Sequence, residues 1–334
     1  MTQVSPGPLG VTFDDPALEV SVRAGLDAVE ASLRDSVGSS DAFLDITARH
    51  LVDAGGKRFR PLVTVLAAHF GDPTLPEVTA SAVVCEITHL ATLYHDDVMD
   101  EAPKRRGAES ANARWDNTVA ILTGDFLFSR ASNILADLGP WAVRLQASTF
   151  ERLVIGQIHE TVGPGADDDP IEHYLRVLED KTGSLIATAA EFGAHFAGVD
   201  PALVGRLRAF AERIGVAFQL SDDIIDIASD GDASGKTPGT DLREGIPTLP
   251  VLYALRSSAA SGDRLRALVS HPLIDDAEHA EALALLRASD ALDEARLTLR
   301  GYADTAQAML DDLPDVPARA AMEQLAETVI ARSG

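Results

Sequence analysis

Apolar residues recur with helical spacing along nearly the whole chain, at positions i, i+3, i+4 and i+7 of each long segment. The segments with this spacing are 17–36, 42–55, 76–100, 117–139, 141–162, 174–198 and 202–229. Glycine and proline separate them, and residues 163–170 and 229–248 have the composition of loops. The sequence shows neither the alternation typical of strands nor an Asn-Gly hairpin signal. The pattern predicts an all-α protein, a bundle of roughly ten or more helices.

Composition and charge narrow the class of protein. The 334 residues are 46% hydrophobic, and no linker-like stretch divides them. We therefore predict a single domain over residues 1–334, with 1–12 as a flexible amino-terminal segment. One cysteine, Cys85, excludes an intrachain disulfide and fits a reducing cytoplasm, while signal-peptide and transmembrane patterns are missing. The formal net charge of −24 argues against nucleic acid as a partner.

Two of the helical segments carry the spacing Asp-Asp-x-x-Asp. The first acid cluster is Asp96, Asp97 and Asp100, and the second acid cluster is Asp222, Asp223 and Asp226. At ~100° per residue, these carboxylates crowd one side of a helix, so they need a compensating positive charge. Mg²⁺ takes carboxylate oxygens as ligands and binds substrate phosphates at its open positions. Two such faces opposite each other would hold a diphosphate through bridging Mg²⁺, and a solvated acidic surface is the alternative.

A third copy of the spacing serves as an internal control. Asp311, Asp312 and Asp315 also match it, but Pro314 interrupts the spacer. Proline argues against one continuous helical face, so we interpret this copy as a solvated turn.

Basic residues near the first acid cluster in sequence could bind the diphosphates. They are Lys57, Arg58 and Arg60 after Gly55-Gly56, and Lys104, Arg105 and Arg106 after the first acid cluster. Glycines let backbone approach a ligand closely, and arginine binds phosphate oxygens through two parallel hydrogen bonds. Surface cations in an ordinary helix–helix turn are the alternative.

Two further polar residues lie on the acid-bearing helices. His89 is seven residues before Asp96, about two helical turns, and Glu86-x-x-His89 matches a pair found in di-iron bundles. Such sites need two pairs, and the chain has no second one. We therefore interpret His89 as a hydrogen-bond donor to phosphate or within the bundle. Gln219 precedes Asp222 by three residues, on the same helix face.

Together these motifs resemble the trans-isoprenyl diphosphate synthases, or polyprenyl synthetases. The resemblance covers most of the chain, through GGKRFRP, HLATLYHDDVMDEAPKRRG, GDFLFSRA, KTGSL, AFQLSDDIIDI and GKTPGTDLREGIPTLP. It implies an all-α bundle around a central cavity, normally a homodimer, with three Mg²⁺ ions. The implied reaction joins isopentenyl diphosphate head-to-tail to an allylic diphosphate, by Mg²⁺-assisted ionisation, condensation and elimination.

The resemblance also implies roles for individual residues. Both acid clusters would bind Mg²⁺, and the catalytic residues would be Asp96, Asp97, Asp100, Asp222, Asp223, Lys181 and Gln219. The contacts to the allylic diphosphate would be Arg105, Lys181, Thr182, Gln219 and Lys236. The isopentenyl diphosphate site would be Lys57, Arg60, His89 and Arg106. One departure is Ile246, at a position where many members have a lysine.

The same resemblance bears on product length. The growing tail is expected to run from Asp96 towards the amino-terminal end of its helix, past Thr92, Ala91, Thr88 and Val84. In the family, a bulky aromatic residue one turn before the first acid cluster gives a short product, whereas Ala91 and Thr92 are small. An isoprene unit is about as long as one helical turn, ~5.4 Å, so we predict an all-trans product of about six to nine units. The alternative is that Ala91 only packs against a neighbouring helix.

Three other functions remain as alternatives. A synthase of geranylgeranyl or farnesyl length would use the same residues. A class I terpene cyclase has a similar bundle, but its second metal motif usually mixes Asn or Asp with Ser and Glu. A non-catalytic helical subunit would not need both acid clusters and both sets of cations.

Overall fold

A computed structural model describes residues 10–229, 238–257 and 260–332, and they are almost entirely α-helical. The helices are α1 (Pro16–Ser36), α2 (Ala42–Asp53), α3 (Phe59–Ala68), α4 (Pro76–Met99), α5 (Ala111–Arg114), α6 (Asn117–Leu138), α7 (Pro140–Val162), α8 (Pro170–Leu178), α9 (Ser184–Phe196), α10 (Pro201–Ala228), α11 (Thr240–Glu244), α12 (Leu249–Arg256), α13 (Ala260–Leu268), α14 (Asp276–Arg287), α15 (Ala291–Leu310) and α16 (Pro317–Ala331). A π-helix, Glu179–Gly183, lies between α8 and α9. The prediction of an all-α protein is confirmed.

Most helix boundaries agree with the sequence pattern because local capping sets them. Asp15 accepts a hydrogen bond from the Leu18 amide at 2.7 Å, and Asp116 accepts one from the Val119 amide at 2.9 Å. Such side chains satisfy amide groups that have no partner within the first helical turn. The third copy of the acid spacing is an exposed turn after α15, as predicted.

Three local features differ from the prediction. The predicted segment 174–198 is interrupted by the π-helix, and the predicted loop 229–248 contains α11. The two short strands β1 (Lys104–Arg105) and β2 (Ala108–Glu109) form an antiparallel hairpin after α4. Arg106 and Gly107 form its turn with φ angles of 53° and 79°. Both turn residues have positive φ, as in the hairpins that Asn-Gly usually forms. The sequence pattern missed this hairpin because its turn is Arg-Gly instead.

The chain divides into two compact units, which we describe separately. Unit one comprises residues 1–150, 185–211 and 312–324. Its central helix is α4, which packs against α6, α3 and α1. A Cβ on Gly193 would lie 2.0 Å from the carbonyl oxygen of Thr64, so this glycine permits α9 to lie directly against the α3 backbone. Unit one contains the first acid cluster.

Unit two comprises residues 151–184, 212–311 and 325–334 and contains the second acid cluster. Within it, α12 packs against α15, α13 and α8. A Cβ on Gly156 would lie 2.8 Å from the backbone nitrogen of Lys181, so α7 approaches the π-helix closely. That close approach accompanies the break in the predicted helix.

Two predictions about the whole chain stay predictions. One is the single domain, and the other is a flexible segment over residues 1–12. Residues 1–9 lie outside the described part, while Val11 is completely buried. None of the described helices combines the length and the apolar character that crossing a membrane requires.

Candidate active site

The first acid cluster lies at the carboxyl end of α4. Asp96 and Asp97 are in its last turn, and Asp100 caps it. Asp97 is completely buried; its Oδ1 accepts a hydrogen bond from Arg105 Nε at 2.6 Å. Its Oδ2 is also buried and has no hydrogen-bond partner among the described residues. Burial raises the pKa of Asp97, against the lowering effect of Arg105. A carboxylate with one buried, unsatisfied oxygen can use that oxygen as a ligand for a cation.

The hairpin after α4 aims two arginines in different directions. Arg105 contacts the first acid cluster, and its Nη2 lies 3.7 Å from Asp100 Oδ2. Arg106 instead donates to the carbonyl oxygens of Leu51, at 2.9 Å, and Gly55, at the end of α2. The central carbon of the Arg106 guanidinium is only 2.8 Å from the position that a Cβ on Gly56 would take. Gly56 therefore leaves space for the guanidinium of Arg106. The sequence pattern did not reveal this reason for a glycine at position 56.

Glu86 is the counter-charge of this arginine group. It is 2% exposed, its Oε1 lies 2.9 Å from Arg58 Nη1, and Arg106 Nη2 lies 3.9 Å from it. Arg58 also pairs with Glu30 at 2.8 Å. Arg58 is thus held by two carboxylates, which explains why it belongs to the scaffold rather than to the predicted ligand set. A lone acid inside the apolar run of α4 was the signal for Glu86 in the sequence.

Arg60 and His89 complete the basic side of unit one. Burial lowers the pKa of Arg60, and its Nε has no hydrogen-bond partner among the described residues. Burial also holds the pKa of His89 well below its usual value, and the charges of Arg60, Arg106 and Arg105 lower it further. His89 is therefore neutral near pH 7 and can donate only one ring N–H. Three predicted residues of the isopentenyl diphosphate site thus lie in one electropositive region, and Lys57 is exposed beside it.

The second acid cluster lies near the carboxyl end of α10. Asp222 accepts a hydrogen bond from Arg332, and Asp223 accepts one from Tyr174 and one from Gln219 Nε2 at 2.9 Å. Burial raises the pKa of Asp223 to about 6, against the lowering effect of these two donors. Asp226 accepts from the amides of Thr240, at 3.1 Å, and Asp241, at 3.2 Å, and so caps α11.

The three carboxylates of the second acid cluster are therefore not equivalent. Asp223 accepts hydrogen bonds from two side chains and Asp226 from the backbone of α11, so the three predicted metal ligands have different partners. Asp222 is the member of the cluster that pairs with an arginine, Arg332. Tyr174 and Arg332 were missed because neither stands within a recognisable motif.

The remaining predicted contacts of the allylic diphosphate are in unit two. Lys181 and Thr182 lie in the π-helix, an irregularity that often marks functional sites. Lys181 Nζ lies 2.5 Å from Glu160 Oε2. Lys236 lies outside the described residues. Ile246 is half-buried and lines a small pocket together with Leu242.

The residues predicted to set product length have different environments. Thr88 lines a cavity of about 410 Å³ between α4, α6 and α7, together with Phe128, Leu135, Val143 and Phe150. Thr88 Oγ1 accepts a hydrogen bond from Gln146 Nε2 at 2.8 Å. Ala91 and Val84 are completely buried, and Ala91 belongs to a core that also includes residues of α1, α2 and α6. Its carbonyl oxygen would lie 3.1 Å from a Cβ on Gly124 of α6. Thr92 Oγ1 donates to the carbonyl oxygen of His89 at 2.8 Å. Thr88 therefore lines this cavity, whereas Ala91 packs against α6.

Comparison with known proteins decides the family. The sequence profile of the polyprenyl synthetase family matches residues 41–286. The chain belongs to this family. A nonaprenyl diphosphate synthase of Mycobacterium tuberculosis is 51% identical over 97% of this chain and 97% of its own length. An octaprenyl diphosphate synthase of Escherichia coli is 33% identical over 91% of this chain and 94% of its own.

Solved structures of similar proteins support the same family. A geranylgeranyl pyrophosphate synthase of Corynebacterium glutamicum, complexed with calcium and isoprenyl diphosphate, has a TM-score of 0.87 and 47% identity. The match covers 97% of this chain and all of that one. A polyprenyl synthase of Caulobacter crescentus, also complexed with calcium and isoprenyl diphosphate, gives 0.88 and 33%, over 99% of this chain and all of that one. As a polyprenyl synthetase, the protein is an enzyme, a prenyltransferase with the all-α isoprenoid synthase fold.

Proposed function

We propose that this prenyltransferase joins isopentenyl diphosphate to an allylic diphosphate and makes an all-trans product of about six to nine isoprene units. The observation that carries the proposal is in unit one, where the buried carboxylate of Asp97 bonds Arg105 and has one oxygen without a hydrogen-bond partner among the described residues. Half-buried arginines lie around His89 of the same helix, namely Arg60, Arg106 and Arg58. The acid cluster needs a cation, which suits a diphosphate bound through metal ions. The basic region needs an anion, which suits a second diphosphate bound without metal. The alignment with a nonaprenyl diphosphate synthase supports the long product.

Mg²⁺ is the metal that we propose. Asp96, Asp97 and Asp100 would hold it in unit one, and Asp222 would be its ligand in the second acid cluster. Within the described residues, no three His, Cys, Asp or Glu side chains are arranged to hold a metal by themselves. The ions would therefore need substrate oxygens and water as further ligands, which is the usual way that proteins bind Mg²⁺ with phosphates. When bound, Mg²⁺ would neutralise the diphosphate and make it a better leaving group.

The basic residues of unit one would bind isopentenyl diphosphate. Arg60 and Arg106 would supply positive charge, Lys57 a further exposed cation, and neutral His89 a hydrogen bond. Because Glu86 and Glu30 hold Arg58, this arginine would position its neighbours rather than contact substrate. Arg60, His89 and Arg106 are half-buried, so their contacts with phosphate would be stronger than in water.

The allylic diphosphate would be contacted by Arg105, which already lies against the first acid cluster, and by Lys181, Thr182, Gln219 and Lys236. Gln219 donates to Asp223. It would thus orient the second acid cluster as well. Apolar walls would exclude water and prevent it from capturing the allylic cation.

We also propose that the protein forms a homodimer, which the resemblance to the family implies. Its support is the apolar surface of α6, where Ile121 is 42% and Leu122 is 60% exposed. Exposed apolar residues grouped on one helix are typical of protein interfaces. A cytoplasmic location stays a prediction.

The test is incubation of the purified protein with Mg²⁺, labelled isopentenyl diphosphate and allylic primers of increasing length. Chromatography of the dephosphorylated products should show a chain of about six to nine units. Arrest at three or four units would favour a short-chain synthase instead. A cyclised primer, or no incorporation at all, would contradict the proposed reaction.

A further inference from the structure

Arg332 lies beside Asp222 in unit two, although no sequence motif includes it. It is separated from Asp222 by 110 positions, and its Nη2 donates to Asp222 Oδ1. Both side chains are 24% exposed, so this ion pair is only partly accessible to solvent. Its charge is therefore less screened than that of a surface pair.

The environment of Arg332 places the guanidinium without satisfying it fully. The guanidinium carbon lies 4.7 Å from the centre of the Phe218 ring, one turn before Asp222 on α10. Its Nη1 is buried and has no hydrogen-bond partner among the described residues. A cation–π contact thus holds the group beside Asp222, while one of its donors lacks an acceptor.

The other members of the second acid cluster have neutral donors. Asp223 accepts from Tyr174 and Gln219, and Asp226 accepts from the amides that begin α11. Asp222 accepts from a cation, Arg332. This residue directly follows the last residue of α16, and its amide donates to the Thr328 carbonyl at 3.2 Å. A long side chain next to a helix end can turn away while the helix stays in place.

We propose that Arg332 neutralises Asp222 while the second acid cluster holds no metal, and that Mg²⁺ and Arg332 compete for this carboxylate. The proposal rests on the proposed function only in taking Asp222 as a metal ligand. It assigns a role to a residue near the carboxyl terminus that contacts no substrate in the proposed reaction. Two cations cannot share one carboxylate oxygen without repulsion, so binding of one weakens binding of the other.

The experiment measures Mg²⁺ binding without substrate or turnover. The midpoint of thermal unfolding is recorded at low ionic strength over a series of Mg²⁺ concentrations, for the parent and for Arg332→Gln. The variant should unfold at a lower temperature without metal, because the ion pair with Asp222 and the contact with Phe218 are lost. The Mg²⁺ concentration that gives half of the maximal shift should nevertheless be lower than for the parent, by about fivefold or more. Arg319→Gln is the matched control, because Arg319 pairs with Glu323 on the same helix at 2.9 Å.

Asp222→Asn separates the proposal from a general effect of lost charge. In that background, Arg332→Gln should leave the Mg²⁺ requirement unchanged. It should lower the metal-free midpoint by less than in the parent, because only the contact with Phe218 is then lost. An unchanged or higher Mg²⁺ requirement in Arg332→Gln, or an equal effect in the Asp222→Asn background, would overturn the competition and leave the metal site standing. If Mg²⁺ shifts none of the variants, or shifts Asp222→Asn as much as the parent, Asp222 does not bind the metal in the substrate-free protein and the competition is overturned. The proposed function, in which substrate oxygens complete the metal site, is then decided separately by the product assay.

Discussion

Replacing Thr88 by phenylalanine should shorten the product, because Thr88 lines the cavity between α4, α6 and α7. Thr88 lies eight residues before Asp96, so at ~1.5 Å per residue it stands ~12 Å along α4. Ala91 stands ~7.5 Å along the helix on the same reckoning. The difference of ~4.5 Å is close to the length of one isoprene unit, ~5.4 Å. If Ala91→Phe stops growth at three or four units, Thr88→Phe should stop it about one unit later.

The two substitutions should differ in stability as well. The cavity of about 410 Å³ can receive the ring at position 88, and the main loss is the 2.8 Å hydrogen bond from Gln146, about 1 kcal/mol. Ala91 is completely buried in the contact with α6, so a ring there would overpack the core at a cost of about 1–3 kcal/mol. Thr88→Phe should therefore be the more stable of the two.

The assay is product chromatography after turnover with a short allylic primer, combined with thermal unfolding of each variant. Thr47→Phe is the matched control, because Thr47 is an equally buried threonine of unit one that does not line this cavity. It should lower the unfolding temperature and leave product length unchanged. If Thr88→Phe makes the parental product, the tail does not pass through this cavity and the reasoning is refuted.

Three further predictions concern single groups. Asp96→Asn should lower turnover roughly a thousandfold or more with little effect on unfolding, whereas Asp311→Asn should be nearly silent; equal losses in a steady-state assay would contradict the metal assignment. Arg60→Ala should raise KM for isopentenyl diphosphate roughly tenfold more than KM for the allylic substrate, and Arg105→Ala should show the opposite bias; identical effects would mean that the two sites are wrongly assigned. Burial raises the pKa of the Cys85 thiol to about 12, so a thiol reagent at pH 8 should label it only after denaturation; rapid labelling of the native protein would show that α4 opens.

The sequence by itself determined the helical class, most helix boundaries and both acid clusters. These features depend on neighbours within about one or two helical turns, namely apolar spacing, aspartate caps and Gly or Pro breaks. The control copy at Asp311 was read correctly for the same reason, since Pro314 acts on the adjacent backbone.

Only the tertiary structure decided what each charged group does. The pairing of Glu86 with Arg58 joins residues 28 positions apart, and that of Asp222 with Arg332 spans 110 positions. Arg58, Arg60 and Arg106 have the same side chain, yet Arg58 and Arg106 pair with Glu86, whereas the buried Nε of Arg60 has no hydrogen-bond partner among the described residues. Spacing along a chain fixes which residues share a helix face, but burial and partner choice depend on which other helices cover that face. Those contacts arise only when distant segments pack, so they are not contained in any local pattern.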